Sequence, residues 1–315
     1  MNETVLVTGA NGFVGRALCS SLITRGYLVR SAVRRQVNGY AGEVAVGDIG
    51  PDTDWTDALV NVCGVVHCAA RTQVMNDRAF DTLDAFRRVN KEGALNLARQ
   101  AAAAGVKRFV FVSTVKVNGE ATMPGHPFRA DDVPAPQDSY GVSKHEAEVD
   151  LKQLVRATGM EVVIVRPPLV YGPMVKGNFT SLIRMLVLGL PLPLGAIHNK
   201  RSMVALDNLV DFLAVCLSHP AAAGQTFLVS DGEDVSTTDL LVRTSNAMRK
   251  RAILLPVPVP LLKLVASLLG KSAVAQRICG SLQVDISKTR ALLDWNPVIT
   301  LDEGLRRAVQ ERVWC

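Results

Sequence analysis

Apolar and polar positions in the first half of the chain fall into short apolar runs separated by longer stretches with helical periodicity. Thr4-Val5-Leu6-Val7-Thr8 is β-branched and almost wholly apolar, the mark of a strand covered on both faces. A helical pattern over residues 16–25 follows it. Further runs at 27–33, 43–46, 65–70 and 109–114 predict strands two to five. Between the last two lie a long helix containing Asn90 and a helix over 94–104, closed by Gly105 as a C-terminal glycine. Strands alternating with helices in this way predict an α/β fold with a doubly wound parallel sheet of the Rossmann type, whose ligands sit at the carboxyl ends of the strands.

After Arg166 the alternation breaks. Pro and Gly cluster from Pro167 to Gly195, which predicts loops and short elements around a helix over 179–189. Runs at 204–206 and 227–230 read as strands returning to the main sheet. The expected division is a dinucleotide-binding part, residues 1–170 with 203–230, and a smaller interleaved C-terminal lobe of residues 171–202 and 231–315. Residues 256–279 are unusually apolar, but the helical part is about ten residues, too short to span a bilayer. A helix packed on the small lobe is expected there, with a surface-membrane contact as the other reading.

Composition narrows the classes. With 315 residues and 48% hydrophobic content the chain has ample material for a core. Neither a long uncharged apolar run nor a basic leader is present, so a cytoplasmic protein is expected. Six Cys without CxxC spacing point to reduced thiols, and five scattered His predict no metal site. The net charge of +6 is spread along the sequence without an aromatic stacking platform, which argues against nucleic acid.

Several motifs carry chemistry. Gly9-Ala10-Asn11-Gly12-Phe13-Val14-Gly15 directly follows the first strand. Glycines at such a turn let backbone N–H groups approach a pyrophosphate at a helix N-terminus. The second strand ends Val33-Arg34-Arg35 with no carboxylate competing. Arg there accommodates the 2′-phosphate of NADP, while NAD held by backbone contacts is the alternative. Asp48, before Ile49, stands at a strand end where it suits the adenine amino group. The small Ala69-Ala70 pair suits a backbone close to a cofactor. Tyr140 and Lys144 are four apart, so on a helix they share a face, where a cation favours the phenolate of a group that ordinarily titrates near pH 10. Asp138 or Ser139 would cap that helix.

Taken in order, these pieces resemble the extended short-chain dehydrogenase/reductase superfamily, in particular its nucleotide-sugar epimerases, dehydratases and reductases. Thr8 to Gly15, Asp48-Ile49, His67 to Ala70, Asn90, Gly105 to Val110, Ser113-Thr114, Tyr140-x-x-x-Lys144, Arg166-Pro167 and Val170-Tyr171-Gly172-Pro173 all match, nearly end to end. The resemblance implies hydride exchange at a sugar carbon against a nicotinamide. Tyr140 would move the hydroxyl proton, Lys144 would hold the nicotinamide ribose and lower the phenol pKa, and Thr114 would bond the reacting oxygen and Tyr140. It also implies cofactor contacts by Asn90 and Pro167. Candidate substrate contacts are Lys116, Asn178 of the Gly177-Asn178-Phe179 motif, Arg201 and Arg277. A homodimer built on two helices per subunit is usual in the family.

Three departures bear on the reaction. The Asp-Glu pair of the dehydratases is Val115-Lys116 here, which argues against 4,6-dehydration. Val117-Asn118-Gly119 stands where Val-Tyr-Gly is frequent, and Leu169 replaces an Asn that contacts substrate. Leu282, near a position where bulk controls a 2-acetamido group, tilts toward N-acetylated sugars. The leading expectation is an NADP-dependent 4-ketoreductase acting on a UDP-linked, N-acetylated 6-deoxy-4-ketohexose in surface-polysaccharide synthesis. A UDP-sugar 4-epimerase using NAD is the alternative, and a non-catalytic NADP-sensing protein the remote one.

Overall fold

The structure, a computed structural model, describes residues 3–36, 42–72, 82–123, 125–175 and 178–310. In chain order its strands are β1 (Thr4–Thr8), β2 (Leu28–Val33), β3 (Glu43–Ala45), β4 (Val62–His67), β5 (Arg108–Val112), β6 (Glu161–Arg166), β7 (Leu169–Tyr171), β8 (Arg201–Ala205), β9 (Thr226–Leu228) and β10 (Asp234–Val235). Its helices are α1 (Phe13–Thr24), α2 (Thr56–Leu59), α3 (Leu83–Phe86), α4 (Ala94–Ala103), α5 (Ser139–Thr158), α6 (Asn178–Val187), α7 (Leu206–Ser218), α8 (Thr237–Ala247), α9 (Val259–Leu268), α10 (Ser272–Cys279), α11 (Ser287–Leu293) and α12 (Leu301–Gln310). A π-helical segment, Arg87–Gly93, joins α3 to α4.

Seven strands form one parallel sheet in the order β3-β2-β1-β4-β5-β6-β9. The order reverses between β1 and β4, which opens the crevice where such sheets bind ligands. Alternation along each strand explains why both faces are covered. Val5, Val7, Val66, Val110 and Val163 pack with α1 and α7 on one side. Leu6, Val65, Phe109, Phe111 and Ile164 pack with α4 and α5 on the other. The doubly wound Rossmann expectation is thus what the chain adopts.

The strand ends differ in detail. α1 begins at Phe13, inside the glycine motif rather than after it, because Gly15 takes a helical place that brings its Cα against the turn. β4 stops at His67, so Cys68, Ala69 and Ala70 form a loop at its carboxyl end. Of the two runs expected to return to the main sheet, only Thr226–Leu228 does so. Arg201–Ala205 instead pairs parallel with β7 and antiparallel with β10 in a separate three-stranded sheet. A short apolar strand specifies burial but not which neighbour supplies its hydrogen bonds, and here Met203 and Ala205 are claimed by a second core. That core gathers Tyr171, Phe179, Ile183, Leu240, Leu301 and Leu305.

Candidate functional site

Everything the sequence marked in its first half converges on the carboxyl edge of the large sheet. After β1 the chain turns at Gly9, whose φ of +64° is the left-handed region that favours glycine. A Cβ there would lie 2.9 Å from the Ala69 backbone nitrogen, so the loop after β4 crosses directly over the turn. Thr8 fastens the crossing: its Oγ1 accepts from Ala69 N–H at 3.2 Å and lies 2.9 Å from His67 Nδ1. His67 is fully buried between Phe109 and Phe111, and burial with the nearby Lys144 charge pushes its pKa down to about 3.

Gly12 caps α1 without a side-chain hydrogen bond, and no acidic residue stands in the first turn of the helix. Its N-terminal amides therefore keep their partial positive charge. A Cβ on Gly15 would lie 2.2 Å from the Gly9 carbonyl oxygen, so this glycine closes the turn against the helix. Asn11 and Gly12 are exposed, while Phe13 and Val14 are half-buried. A cradle of uncapped amides with no competing carboxylate fits a dinucleotide pyrophosphate.

At the far side of the crevice Arg34 and Asp48 meet in an ion pair at 2.7 Å, both well exposed. A carboxylate thus does reach the arginine, contrary to the reading from β2 alone, because Asp48 arrives from the loop after β3. Arg35 is exposed and Ile49 half-buried beside them. Gly93 presses on Ile49, where an added Cβ would fall 2.7 Å from its Cγ2.

Asp138 proves to be the cap of α5, accepting from Gly141 N–H at 2.7 Å, so Tyr140 sits in the first turn and Lys144 one turn later. Asp138 also pairs with Lys116, which reaches Glu120 at 3.5 Å. Lys144 is almost wholly buried. Its Nζ donates to the Val112 carbonyl at 2.8 Å and stands 4.3 Å from the centre of the Phe111 ring. Burial pushes its pKa down to about 7. Tyr140 keeps partial exposure and meets Phe86 edge-on, with 6.2 Å between ring centres.

Here the expectation of an acidified phenol needs correction. Burial of the hydroxyl, followed by the negative Asp138, pushes the Tyr140 phenol upward. Helical spacing aligns the two side chains but does not say where the ammonium ends, and here the Val112 carbonyl and the Phe111 ring hold it. Among the described residues Tyr140 makes no hydrogen bond to Thr114. The Thr114 hydroxyl accepts from Lys116 N–H at 3.3 Å, and Val115 N–H donates to the Pro167 carbonyl at 3.0 Å, which brings β6 to the same edge.

Asn90 lies in the π-helical turn, a distortion frequent at functional sites. Its Nδ2 donates to the Arg71 carbonyl and to Ser143 Oγ, each at 3.0 Å, and its Oδ1 accepts from Arg71 N–H at 2.8 Å. Ser143 in turn donates to the Tyr140 carbonyl at 2.8 Å. Asn90 therefore ties the loop after β4 to the turn that carries the tyrosine.

Sequence reasoning named Arg166 as a motif match and overlooked its partners. Glu148 and Arg166, both buried, pair at 2.6 Å, and Ser113 Oγ donates to Glu148 at 2.5 Å. Arg166 also donates to Asn118 Oδ1 at 3.1 Å, and Asn118 Nδ2 donates to the Arg129 carbonyl at 2.8 Å. The Asn in place of the frequent Tyr is thus a structural ligand of Arg166. Its proximity to Ser113-Thr114 was the available signal.

Two substrate candidates of the second lobe, Arg201 and Arg277, are brought together through the backbone. Arg201 donates to the carbonyls of Arg277 and Gly280 at 2.8 and 3.1 Å, and burial pushes its pKa down. The Arg277 side chain is exposed. Asn178 heads α6, its side chain and Gly177 lying outside the described residues. Leu169 is exposed, whereas Leu282 is buried with Val115, Leu228 and Val284. Among the described residues no group of three His, Cys, Asp or Glu can hold a metal ion, and no helix is long and apolar enough to cross a membrane.

Comparison with known proteins gives the site a context. The family model "NAD dependent epimerase/dehydratase family" matches residues 5–230. A UDP-glucose 4-epimerase of Vibrio cholerae is 50% identical over 313 residues, covering 98% of this chain and 95% of that protein. The solved structure of a UDP-glucuronic acid 4-epimerase from Bacillus cereus in complex with NAD has the same fold, with a TM-score of 0.79 at 21% identity over 98% of both chains. MoeE5 in complex with UDP-glucose and NAD gives 0.77 at 25% identity over 97% of both. The half-identical epimerase overturns the expectation of a 4-ketoreductase acting on an N-acetylated 6-deoxy-ketohexose. A non-catalytic sensor is set aside with it. The chain belongs to the NAD dependent epimerase/dehydratase family of nicotinamide-dependent enzymes.

Proposed function

We propose that this chain is an NAD-dependent 4-epimerase of a UDP-linked hexose. The observation that carries the reading is half-identity, across nearly the whole of both chains, with the Vibrio cholerae UDP-glucose 4-epimerase. When bound, a nicotinamide dinucleotide accepts and returns hydride at a sugar carbon. The chain's own part is proton handling and positioning. Tyr140, once ionised to the phenolate, takes the proton of the reacting hydroxyl and gives it back, and Thr114, just after β5, orients the same oxygen. Lys144, whose Nζ is held by the Val112 carbonyl and the Phe111 ring, contributes positive charge to the site while it is protonated.

The NAD reading is supported by Asp48, which already occupies the Arg34 guanidinium and would compete with a 2′-phosphate for it. Gly9, Asn11, Gly12, Phe13, Val14 and Gly15 would hold the pyrophosphate, with Ala69, Ala70, Asn90 and Pro167 shaping the wall. We assign the nucleotide sugar to the lobe of residues 171–202 and 231–315, with Asn178, Arg201 and Arg277 as its candidate ligands. Lys116 would act there through Asp138. A cytoplasmic homodimer completes the reading.

The test is to incubate purified protein and NAD with UDP-glucose or UDP-galactose and to follow the anomeric protons by NMR. Interconversion without net change in reduced-nicotinamide absorbance supports the proposal. Absence of interconversion for both sugars, or stoichiometric consumption of reduced cofactor, overturns it.

A further inference from the structure

The apolar stretch after Pro256 forms a hairpin, α9 and α10, that the packing of the lobe leaves largely uncovered. No residue of α9 is buried. Val259, Leu262, Ile278 and Cys279 are the hairpin's hydrophobic residues that pack, among the described residues, on the small core beside it. Leu264, Leu268 and Leu269 are 57%, 80% and 66% exposed. Between the two helices runs a groove of about 400 Å³, walled by Leu194, Leu261, Val265, Leu269 and Val274. Beside it the strip at residues 190–195 is joined to 253–255 by backbone hydrogen bonds, such as Leu192 N–H to the Ile253 carbonyl at 2.9 Å. That strip exposes Leu190, Ile253 and Leu255, and Leu188 just before it. Monomeric proteins rarely leave so continuous an apolar surface open.

The charge of the two chain segments that supply this surface decides what covers it. Residues 174–206 and 249–284 contain ten Lys and Arg and no Asp or Glu, in a chain with 35 basic and 29 acidic residues. The rest of the molecule therefore carries 25 basic against 29 acidic, and all of the net positive charge resides in these two segments. Arg184, Lys200, Arg249, Lys250, Arg251, Lys263 and Lys271 are all exposed. A second copy set on the patch by a two-fold axis would bring the same basic surface against itself. An anionic surface with an apolar interior satisfies both features at once, the leucines entering the acyl boundary and the cations meeting phosphates.

We propose that the α9–α10 hairpin and the adjoining strip form a peripheral docking surface for an anionic phospholipid bilayer. The contact lies in the surface of one leaflet, in keeping with helices of 10 and 8 residues. It is independent of which sugar the enzyme turns over.

Co-sedimentation of the full chain with vesicles tests this. Binding is expected to vesicles containing phosphatidylglycerol and not to phosphatidylcholine alone, and to weaken as salt rises. The Leu264→Asp/Leu268→Asp double variant is expected to bind about ten-fold or more weakly, and Lys263→Glu/Lys271→Glu to lose the preference for anionic lipid. Because these side chains are exposed, unfolding midpoints stay at the parent value, which separates lost docking from lost folding. Failure of the parent chain to sediment with anionic vesicles overturns the proposal, as does undiminished binding by the leucine variant. So does a leucine variant whose only change is a smaller oligomer by light scattering, which would assign the patch to a second copy.

Discussion

Asp138 and Lys116 are joined where α5 begins: one Asp138 oxygen accepts from Lys116 Nζ while the other accepts from Gly141 N–H at 2.7 Å. The carboxylate thereby holds the helix start and also stands close enough to raise the Tyr140 phenol, second only to burial in that effect. Replacing Asp138 by Asn keeps a good capping oxygen and removes the charge. The phenol pKa is expected to fall, and the rate-pH profile to move to lower pH. Ultraviolet titration of tyrosinate, with Tyr140→Phe as the blank, checks this. An unmoved phenol would show that Asp138 acts on structure alone.

Gly15 makes a sharper case. Its substitution by Ala puts a Cβ 2.2 Å from the Gly9 carbonyl oxygen, a backbone atom that cannot rotate away. The turn must open, and the amides at the start of α1 lose their common aim. Dinucleotide affinity, read by fluorescence titration, is expected to fall by about ten-fold or more, with the sheet intact by circular dichroism.

The Glu148–Arg166 pair is buried and fully engaged, so breaking one side leaves the other charge without compensation. Glu148→Ala is expected to destabilise the fold by about 3–5 kcal/mol, measured by urea unfolding. Ser113 loses its acceptor in the same variant, so activity falls along with stability.

Stability should also climb with pH in two windows. Folded His67 resists a proton until about pH 3, while the unfolded side chain takes one below its ordinary 6.5. Stability associated with it is present above 6.5 and is lost as pH falls toward 3. Lys144 in the folded chain releases its proton near 7, whereas unfolded it holds it to about 10.5. Over that interval the unfolded state binds the extra proton, so stability rises with pH from about 7. The rise ends near pH 9, because the buried Cys68 thiol, pushed up to about 12, stays protonated while its unfolded form ionises from 9.0. Urea unfolding at about pH 5, 7 and 9 checks both windows, and Lys144→Met is expected to flatten the upper one.

How much of this was open to reading from residue order differs along the chain. The glycine turn, the paired Ala69-Ala70 and the Tyr140–Lys144 spacing are local patterns, and each lands on the carboxyl edge as periodicity implied. Asn118 looked like an unexplained departure because its partner, Arg166, is 48 positions away. Arg34 looked free for a phosphate because Asp48 comes from another strand.

Amino-acid order alone determined the alternation of strands and helices, the parallel sheet and the set of side chains at its edge, since these follow from short-range period and turn chemistry. Tertiary structure decided which sheet Arg201–Ala205 joins, where the Lys144 ammonium rests and which way the phenol pKa moves. Those outcomes depend on burial and on partners distant in sequence, and desolvation is a property of the packed whole that no local pattern encodes.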